Sequence, residues 1–283
     1  MKIFIDSGDI DEIRESIKWG IIDGVTTNPS LIRVALDRRK GMDIRKYIRE
    51  ICETAGEKIP VSLEVMSTDY KSMVKEGRVL YDRYNPIMKN VVIKVPVNTG
   101  PEFEGLRAIK ELSSGGIPIN ATLIMTPPQA LLAAKAGARY VSPFLGRIDD
   151  YVRTRLKVEF RKDDYFDYAR AREALIADID KYRGNIGKYL EMSAIAFPDD
   201  VMSGTELLQR IIAVFRNYSI RSEVIAASIR NPRQMAEAMY AGADIATVPI
   251  GIIRKLLHHQ KTEEGVTLFK NDAEAANYRD VFL

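Results

Sequence analysis

A single lysine interrupts the apolar stretch Val91-Val-Ile-Lys-Val-Pro96. A β-branched run bounded by Asn90 and Pro96 is typical of a buried strand in a parallel sheet. A lysine buried there without a partner would lose its proton more readily than in water, and the free amine is nucleophilic. Lys94 is therefore a candidate for Schiff-base formation with a carbonyl substrate. The alternative is a buried aliphatic stem whose ammonium reaches water or pairs with a carboxylate.

Polar side chains alternate with aliphatic ones in several other short apolar segments. Successive side chains of a strand point to opposite faces, so residues of the same parity share a face. The polar positions on one face are Asp6, Ser62, Glu64, Lys94, Asn120, Thr122 and Ser228. The aliphatic positions of the opposite parity are, strand by strand, Ile3 and Ile5, then Val61, Leu63 and Val65, then Val91, Ile93 and Val95, then Ile119, Ala121 and Leu123, and finally Ile225 and Ala227. Most of these polar residues lie near the carboxyl ends of their segments.

Eight predicted strands alternate with helical sequence. The strands are Lys2–Asp6, the start of Gly24–Ser30, Val61–Val65, Val91–Pro96, Ile117–Leu123, Tyr140–Phe144, Glu223–Ala227 and Asp244–Val248. Helices are predicted at about 43–55, 69–83 and 102–113, and after the capping residues Asp9, Asn28, Thr126, Ser203 and Asn231.

This alternation predicts an α/β fold with a parallel sheet, and the count of eight favours a closed (β/α)8 TIM barrel over residues 1–283. An open doubly wound sheet is the second possibility, but no Gly-x-Gly-x-x-Gly turn supports it. In a closed barrel the polar face would point inward, and an inert interior would hold branched aliphatic residues instead. We therefore expect an active or binding site inside the barrel.

A long insertion is predicted at about 150–203, between the sixth strand and the helix that should follow it. Residues 163–189 are charged, rich in tyrosine and favourable to helix, and Phe197-Pro-Asp-Asp200 is typical of a loop. Loops that follow barrel strands emerge on the catalytic face, so we expect a lid or a contact between subunits rather than a passive addition.

The overall composition argues against several classes of partner. The chain has 283 residues, with 42 basic and 39 acidic side chains, and the net charge of +3 indicates no nucleic-acid partner. No uncharged run is long enough to predict a membrane helix.

The single cysteine, Cys52, and the lack of an apolar leader before Ile3 predict a cytoplasmic protein. His258 and His259 point in different directions on a helix, so we expect surface residues and no metal site.

Six motifs in order resemble the transaldolases, especially the short subfamily that includes the fructose-6-phosphate aldolases. They are Phe4-Ile-Asp6, Gly24-Val-Thr-Thr-Asn-Pro-Ser-Leu31, Val92-Ile-Lys-Val-Pro96, Asn120-Ala-Thr-Leu123, Ser142-Pro-Phe-Leu-Gly-Arg147 and Ala226-Ala-Ser-Ile-Arg230. The resemblance covers nearly the whole chain except about 150–203. It implies transfer of a dihydroxyacetone unit from a ketose phosphate, such as fructose 6-phosphate, to an aldose phosphate, such as erythrose 4-phosphate.

The resemblance also implies roles for individual residues, with no cofactor beyond the covalent Schiff base on Lys94. Asp6 would take the proton from the C4 hydroxyl, and Glu64 would act as acid and base through a water held by Thr122. The implied substrate contacts are Asn28, Asn120, Ser142 and Phe144, and the implied phosphate contacts are Arg147, Ser228 and Arg230. The C-terminal stretch 262–283 resembles a terminal helix that can pack on a neighbouring subunit, so a homo-oligomer is expected.

Each role has a structural alternative. Asn28 could serve only as a helix cap, Asp6 could only neutralise Lys94, and Arg230 could bridge to a carboxylate on the rim.

Two positions distinguish the possible activities. The aldolases of this group resemble the chain except for a glutamine at position 64 and a tyrosine at position 144, so Glu64 and Phe144 favour the transferase. An aldolase-like lyase and a sugar-phosphate binder without catalysis are the alternatives.

Overall fold

Eight parallel strands close into a barrel in the computed structural model, which describes residues 1–39, 41–155, 158–181, 184–185, 187–188, 201 and 203–282. The strands are β1 Lys2–Asp6, β2 Gly24–Thr26, β3 Val61–Glu64, β4 Val91–Pro96, β5 Ile119–Ile124, β6 Tyr140–Pro143, β7 Glu223–Ala226 and β8 Ile245–Val248. Each strand pairs with its neighbour in sequence, and β1 pairs with β8 to close the ring. The predicted (β/α)8 TIM barrel is confirmed.

Helices surround the barrel. They are α1 Ile10–Lys18, α2 Pro29–Asp37, α3 Ile44–Ala55, α4 Tyr70–Met88, α5 Glu104–Ser114, α6 Pro127–Lys135, α7 Leu145–Arg155, α8 Tyr168–Asp180, α9 Gly204–Asn217, α10 Pro232–Ala241, α11 Ile250–Leu256 and α12 Gln260–Ala275, followed by a 3-10 helix at Tyr278–Phe282. Helix α4 passes through Pro86 instead of ending near residue 83 as predicted. Within the described residues, every helix is too short or too polar to span a lipid bilayer.

The predicted helix starts are confirmed by hydrogen bonds that the capping side chains accept from backbone amides. Asn28 Oδ1 accepts from the Leu31 amide at 2.9 Å, and Asn231 Oδ1 accepts from the Gln234 amide at 2.8 Å. Thr126 forms a reciprocal capping box with its third helical residue. Because these helices begin at the carboxyl ends of the strands, their caps help to shape the face on which a barrel enzyme holds its site.

Two layers of side chains follow from the alternation along the strands. Outward residues such as Ile5, Leu63 and Ile93 join the main core beneath the helices. Phe4, Val92, Tyr140, Ile225 and Ile245 form a separate cluster within the barrel. Polar residues lie above this apolar cluster, nearer the carboxyl ends of the strands.

The predicted faces are wrong at the ends of two strands. Ile225 belongs to the inner cluster, and Leu123, predicted to point outward, lines the interior cavity. Leu123 has a φ of 59° where the β5–β6 register shifts, and Ser228 has a φ of 60° just after β7. These left-handed conformations interrupt the two-residue period, so parity no longer assigns the face.

The predicted insertion at about 150–203 overlaps the end of α7 and contains α8. Helix α7 starts at Leu145, immediately after β6, so helical sequence resumes earlier than predicted. The predicted loop at Phe197-Pro-Asp-Asp200 and the end of the helical stretch at 163–189 lie outside the described residues. In the C-terminal tail, α12 has no buried residue.

Candidate active site

A cavity of about 900 Å³ opens at the carboxyl ends of the strands, and it is here called the central cavity. Every predicted site residue except Thr122 lines it: Asp6, Asn28, Glu64, Lys94, Asn120, Ser142, Phe144, Arg147, Ser228 and Arg230. Its volume suits a small metabolite, and its lining combines cations, carboxylates and amides.

Lys94 projects inward from β4 and is buried, with a relative exposure of 5%. Its Nζ lies 3.0 Å from Glu64 Oε2 and donates a hydrogen bond to the Thr27 carbonyl at 3.1 Å. The paired register of β3 and β4 sets Glu64 directly beside Lys94. The ammonium therefore pairs with a carboxylate rather than reaching bulk water, and that carboxylate is also the nearest base for its proton.

Asp6 lines the same cavity. Thr26 Oγ1 donates to Asp6 Oδ1 at 2.8 Å, and this hydroxyl also shares a short hydrogen bond with Thr247. Burial raises the pKa of Asp6, while the Lys94 charge and the Thr26 hydrogen bond oppose that increase. Glu64, rather than Asp6, forms the ion pair with Lys94.

A buried polar chain crosses the barrel beside the lysine. Ser142 Oγ donates to Asn120 Oδ1 at 2.7 Å, and Asn120 Nδ2 donates to Ser62 Oγ at 3.2 Å. All three side chains are almost fully buried. The hydrogen bonds fix the amide orientation of Asn120. Its second N–H group and the free lone pair of its oxygen therefore point in defined directions.

Thr122 lies inside β5 and is fully buried. Its Oγ1 has no hydrogen-bond partner among the described residues. An unsatisfied buried hydroxyl is costly, so a water or ligand atom is the expected partner.

The Asn28 side chain can serve both as a helix cap and as a substrate contact. Its Oδ1 caps α2, while the same side chain lines the central cavity. Only the oxygen is used in the cap, so the NH₂ group remains available to a ligand.

The cationic end of the cavity holds Arg147, Ser228 and Arg230. The Arg147 guanidinium lies 5.3 Å from the centre of the Phe144 ring. Arg230 forms an ion pair with Asp150, and its Nε has no partner within the described part of the chain. Arg230 therefore bridges to a rim carboxylate, as the alternative proposed, while its Nε is buried beside Gly146.

Asp149 is linked to this cationic end of the cavity through hydrogen bonds to Gln234. Its carboxylate accepts hydrogen bonds from the Gly204 amide and from Gln234 Nε2, both at 2.7 Å. Gln234 Oε1 in turn accepts from the Arg230 amide at 2.9 Å. Burial raises the pKa of Asp149 to about 6, although the Gly204 amide and nearby arginines favour the charged form.

Comparisons with known proteins identify the family of the chain. A family model described as Transaldolase/Fructose-6-phosphate aldolase matches residues 3–281. The chain belongs to this family. A probable transaldolase of Caldicellulosiruptor saccharolyticus is 41% identical over 275 residues, covering 97% of each chain. A probable transaldolase of Kosmotoga olearia is 39% identical over 274 residues, covering 97% of this chain and 96% of the relative. One from Thermoplasma acidophilum is 39% identical over 273 residues, covering 96% and 95%.

Several cavity residues of this transaldolase/aldolase family member were not predicted from the sequence. Thr26 and Thr247 contact each other beside Asp6, and Glu12 and Lys162 also line the cavity. Strand parity would have found the two threonines, because each has the inward parity of its strand. No sequence pattern marked Lys162, whose position depends on how the chain returns after α7.

The two histidines and the single cysteine do not line the central cavity. His258 and His259 are exposed, as predicted. Cys52 is fully buried in the core, and burial raises the pKa of its thiol to about 12. Among the described residues, no three potential ligands form a metal-binding group. Metal-free catalysis stays a prediction.

Proposed function

We propose that this family member is a transaldolase that transfers a dihydroxyacetone unit through a Schiff base on Lys94. The observation that carries the proposal is the placement of a buried lysine, an adjacent carboxylate and a second, separate carboxylate in one cavity. These groups correspond to a nucleophile with its proton acceptor and to a base for carbon–carbon cleavage.

Schiff-base formation requires two proton transfers at Lys94. Glu64 takes the first proton from the ammonium, the free amine attacks the C2 carbonyl of the ketose phosphate, and a second proton moves from the nitrogen to the new alkoxide to give a carbinolamine. Glu64 then returns the proton to the carbinolamine hydroxyl, which leaves as water while the C2–nitrogen double bond forms. The hydroxyl of Thr122 is proposed to hold the water that relays these protons, which would satisfy its unpartnered oxygen.

Cleavage then requires a base at the C4 hydroxyl. Asp6 takes that proton, the C4–oxygen double bond forms, and the C3–C4 bond breaks. The electron pair of the broken bond moves into the iminium, so Lys94 holds an enamine while the aldose phosphate departs. An acceptor such as erythrose 4-phosphate reverses these steps, with protonated Asp6 returning its proton to the new hydroxyl.

The polar chain supplies the proposed contacts to the dihydroxyacetone unit. Asn120 and Ser142 are already hydrogen-bonded to each other at 2.7 Å, so little side-chain freedom is lost when a substrate binds. Asn28 would contribute its NH₂ group, and Phe144 would cover the site beside Lys94, whose Nζ is 6.0 Å from the ring centre.

The phosphate of the donor and acceptor is proposed to bind at Arg147, Ser228 and Arg230. Guanidinium groups match phosphate geometry, and the loops after strands seven and eight commonly build such sites in barrels. A ketose phosphate would therefore lie with its carbonyl at Lys94 and its phosphate at the cationic end of the cavity. Fructose 6-phosphate is the ketose phosphate to test first.

A fructose-6-phosphate aldolase-like lyase is the second candidate. The Glu64–Lys94 ion pair favours the transferase, because a glutamine at that position could not titrate. Parallel assays for erythrose 4-phosphate transfer and for release of free dihydroxyacetone distinguish the two. Faster release than transfer would favour the lyase.

Lys94→Ala tests the enzyme against a binder without catalysis. The variant should lose turnover almost entirely and keep its affinity for phosphate. Full turnover in folded Lys94→Ala protein would contradict the Schiff-base mechanism.

A homo-oligomer in the cytoplasm is also proposed. Val266, Leu268 and Phe269 are exposed on α12, which has no buried residue. Apolar side chains on an unburied helix are typical of an interface. Light scattering of the chain ended near His259 should report a smaller assembly than the full chain.

A further inference from the structure

The segment 158–167, which follows α7, brings a lysine to the central cavity. Lys162 lines the central cavity and also an adjoining side pocket that it shares with Ser228 and Arg230. The Lys162 carbonyl accepts a hydrogen bond from Arg230 Nη1 at 3.4 Å. The backbone of Lys162 is therefore tied directly to a residue of the proposed phosphate site.

The buried side chain of Arg153, on α7, anchors the segment 158–167. Arg153 has a relative exposure of 4%, and its guanidinium lies 4.9 Å from the Phe160 ring centre and 5.1 Å from that of Phe166. Arg153 Nη2 also donates to the Asp164 carbonyl at 2.8 Å. Aromatic contacts on both sides of Lys162 in sequence thus hold the segment on α7.

A tyrosine anchors the same segment to α10. The Tyr165 hydroxyl donates to the Glu237 carboxylate, and the Arg233 guanidinium lies 3.8 Å from the Tyr165 ring centre. Helix α10 begins just after Arg230, so this contact fixes the segment relative to the phosphate site. None of the anchoring contacts involves the Lys162 side chain, which is free to bind.

The charges around the cavity leave Lys162 available to an anion. Glu64 pairs with Lys94, and Asp150 pairs with Arg230. Arg147 and Lys162 have no carboxylate partner in the part of the chain that the structure describes. Asp163 lies beside Lys162 in sequence but lines only the side pocket. Because Asp150 offsets the charge of Arg230, a phosphate dianion would be incompletely neutralised by Arg147 alone.

We propose that Lys162 is a further substrate-binding residue that contacts the phosphate of the sugar phosphate. This inference rests on the proposed function, which supplies the substrate class. A flexible ammonium on a residue that lines the cavity complements the planar guanidinium groups as a mobile point charge. Lys162 would therefore discriminate phosphorylated substrates from the same sugars without phosphate.

Steady-state kinetics of Lys162→Ala tests this role. Loss of one partly exposed charge contact should raise the KM for fructose 6-phosphate about fivefold and change kcat little. Lys162→Arg should restore most of the affinity. Lys135→Ala is the matched control, because Lys135 ends α6 at the opposite end of the barrel. Unphosphorylated fructose at high concentration should show no difference between the wild-type protein and Lys162→Ala.

Calorimetric titration with inorganic phosphate separates this inference from the proposed function, because it needs no turnover. Weaker phosphate binding by Lys162→Ala, with Lys135→Ala like the wild type, would support the role of Lys162 even if fructose 6-phosphate were not a substrate. Equal phosphate affinity in all variants, or no phosphate binding by the folded wild-type protein, would overturn it. Equal melting temperatures would establish that the variants fold.

Discussion

Lys94 Nζ and Glu64 Oε2 lie 3.0 Å apart on two adjacent strands, and the side chains have relative exposures of only 6% and 13%. The parallel register of β3 and β4 pairs these two residues, so the contact is built into the sheet. A carboxylate this close can both hold the ammonium and remove its proton. The ion pair thus connects the architecture of the barrel with the proposed covalent chemistry.

Glu64→Gln should lower kcat about 100-fold, because a general acid and base typically contributes a factor of this size. The amide can still contact Lys94 but cannot accept its proton. Rapid mixing with fructose 6-phosphate followed by borohydride quenching should show slower formation of the trapped adduct. Glu53→Gln, on the exposed face of α3, is the control. A Glu64→Gln variant that forms the adduct at the wild-type rate would exclude Glu64 as the proton carrier.

Thr26→Val should move the acid limb of the pH–rate profile to higher pH. Asp6 must be ionised to act as a base, so activity is lost as the pH falls through its pKa, which burial already raises. The Thr26 hydrogen bond lowers that pKa, and its removal should raise the pKa further. Thr26→Ser keeps the hydroxyl and should retain the wild-type profile. An acid limb unchanged in Thr26→Val would show that Asp6 does not govern it.

Gly146→Ala should weaken the proposed phosphate site. An added Cβ would lie 2.4 Å from the Ser228 carbonyl oxygen and 2.5 Å from Arg230 Nε, so both must move. We expect the KM for fructose 6-phosphate to rise about tenfold, corresponding to a loss of about 1.4 kcal/mol in binding. Gly265→Ala is the control, because its Cβ would have no neighbour within 4 Å. An unchanged KM in folded Gly146→Ala protein would place the phosphate elsewhere.

Asp149 should make the stability of the fold depend on pH. Its pKa is about 6 in the folded protein against an ordinary value of 3.8, so the folded state binds this proton more tightly than the unfolded state. The protonated carboxyl therefore stabilises the fold below about pH 4, and this contribution is lost as the pH rises through 6. The difference between the two pKa values corresponds to about 3 kcal/mol.

Urea unfolding of the wild type and of Asp149→Asn, which does not titrate, measures this contribution. The free energy of unfolding of the wild type should fall relative to that of the variant between pH 4 and pH 7. Asp272→Asn, at an exposed position on α12, should remain parallel to the wild type. A constant difference between wild type and Asp149→Asn across this range would contradict the raised pKa.

Much of the barrel could be predicted because its signals are local. Parity assigned Glu64 and Lys94 to the interior, since both lie in regular strands. It failed at Leu123 and Ile225, because φ values of 59° at Leu123 and 60° at Ser228 interrupt the regular alternation near the ends of these strands. Neither Leu123 nor Ser228 is a glycine, so the sequence carried no conspicuous signal for a left-handed conformation.

The contacts between distant segments could not be predicted. The sequence offered a rim carboxylate as an alternative partner for Arg230, but it could not identify Asp150, because that choice depends on how α7 packs beside the loop after β7. Lys162 reaches the cavity only because Arg153 and Tyr165 anchor its segment. Such long-range packing has no periodic signature in the chain.

The most direct measurement is borohydride trapping with fructose 6-phosphate, followed by peptide mass mapping. We expect one stable adduct on Lys94, absent from Lys94→Ala, in a preparation that also transfers the dihydroxyacetone unit to erythrose 4-phosphate. An adduct on another lysine, or no adduct with any ketose phosphate in folded protein, would contradict a Schiff base on Lys94.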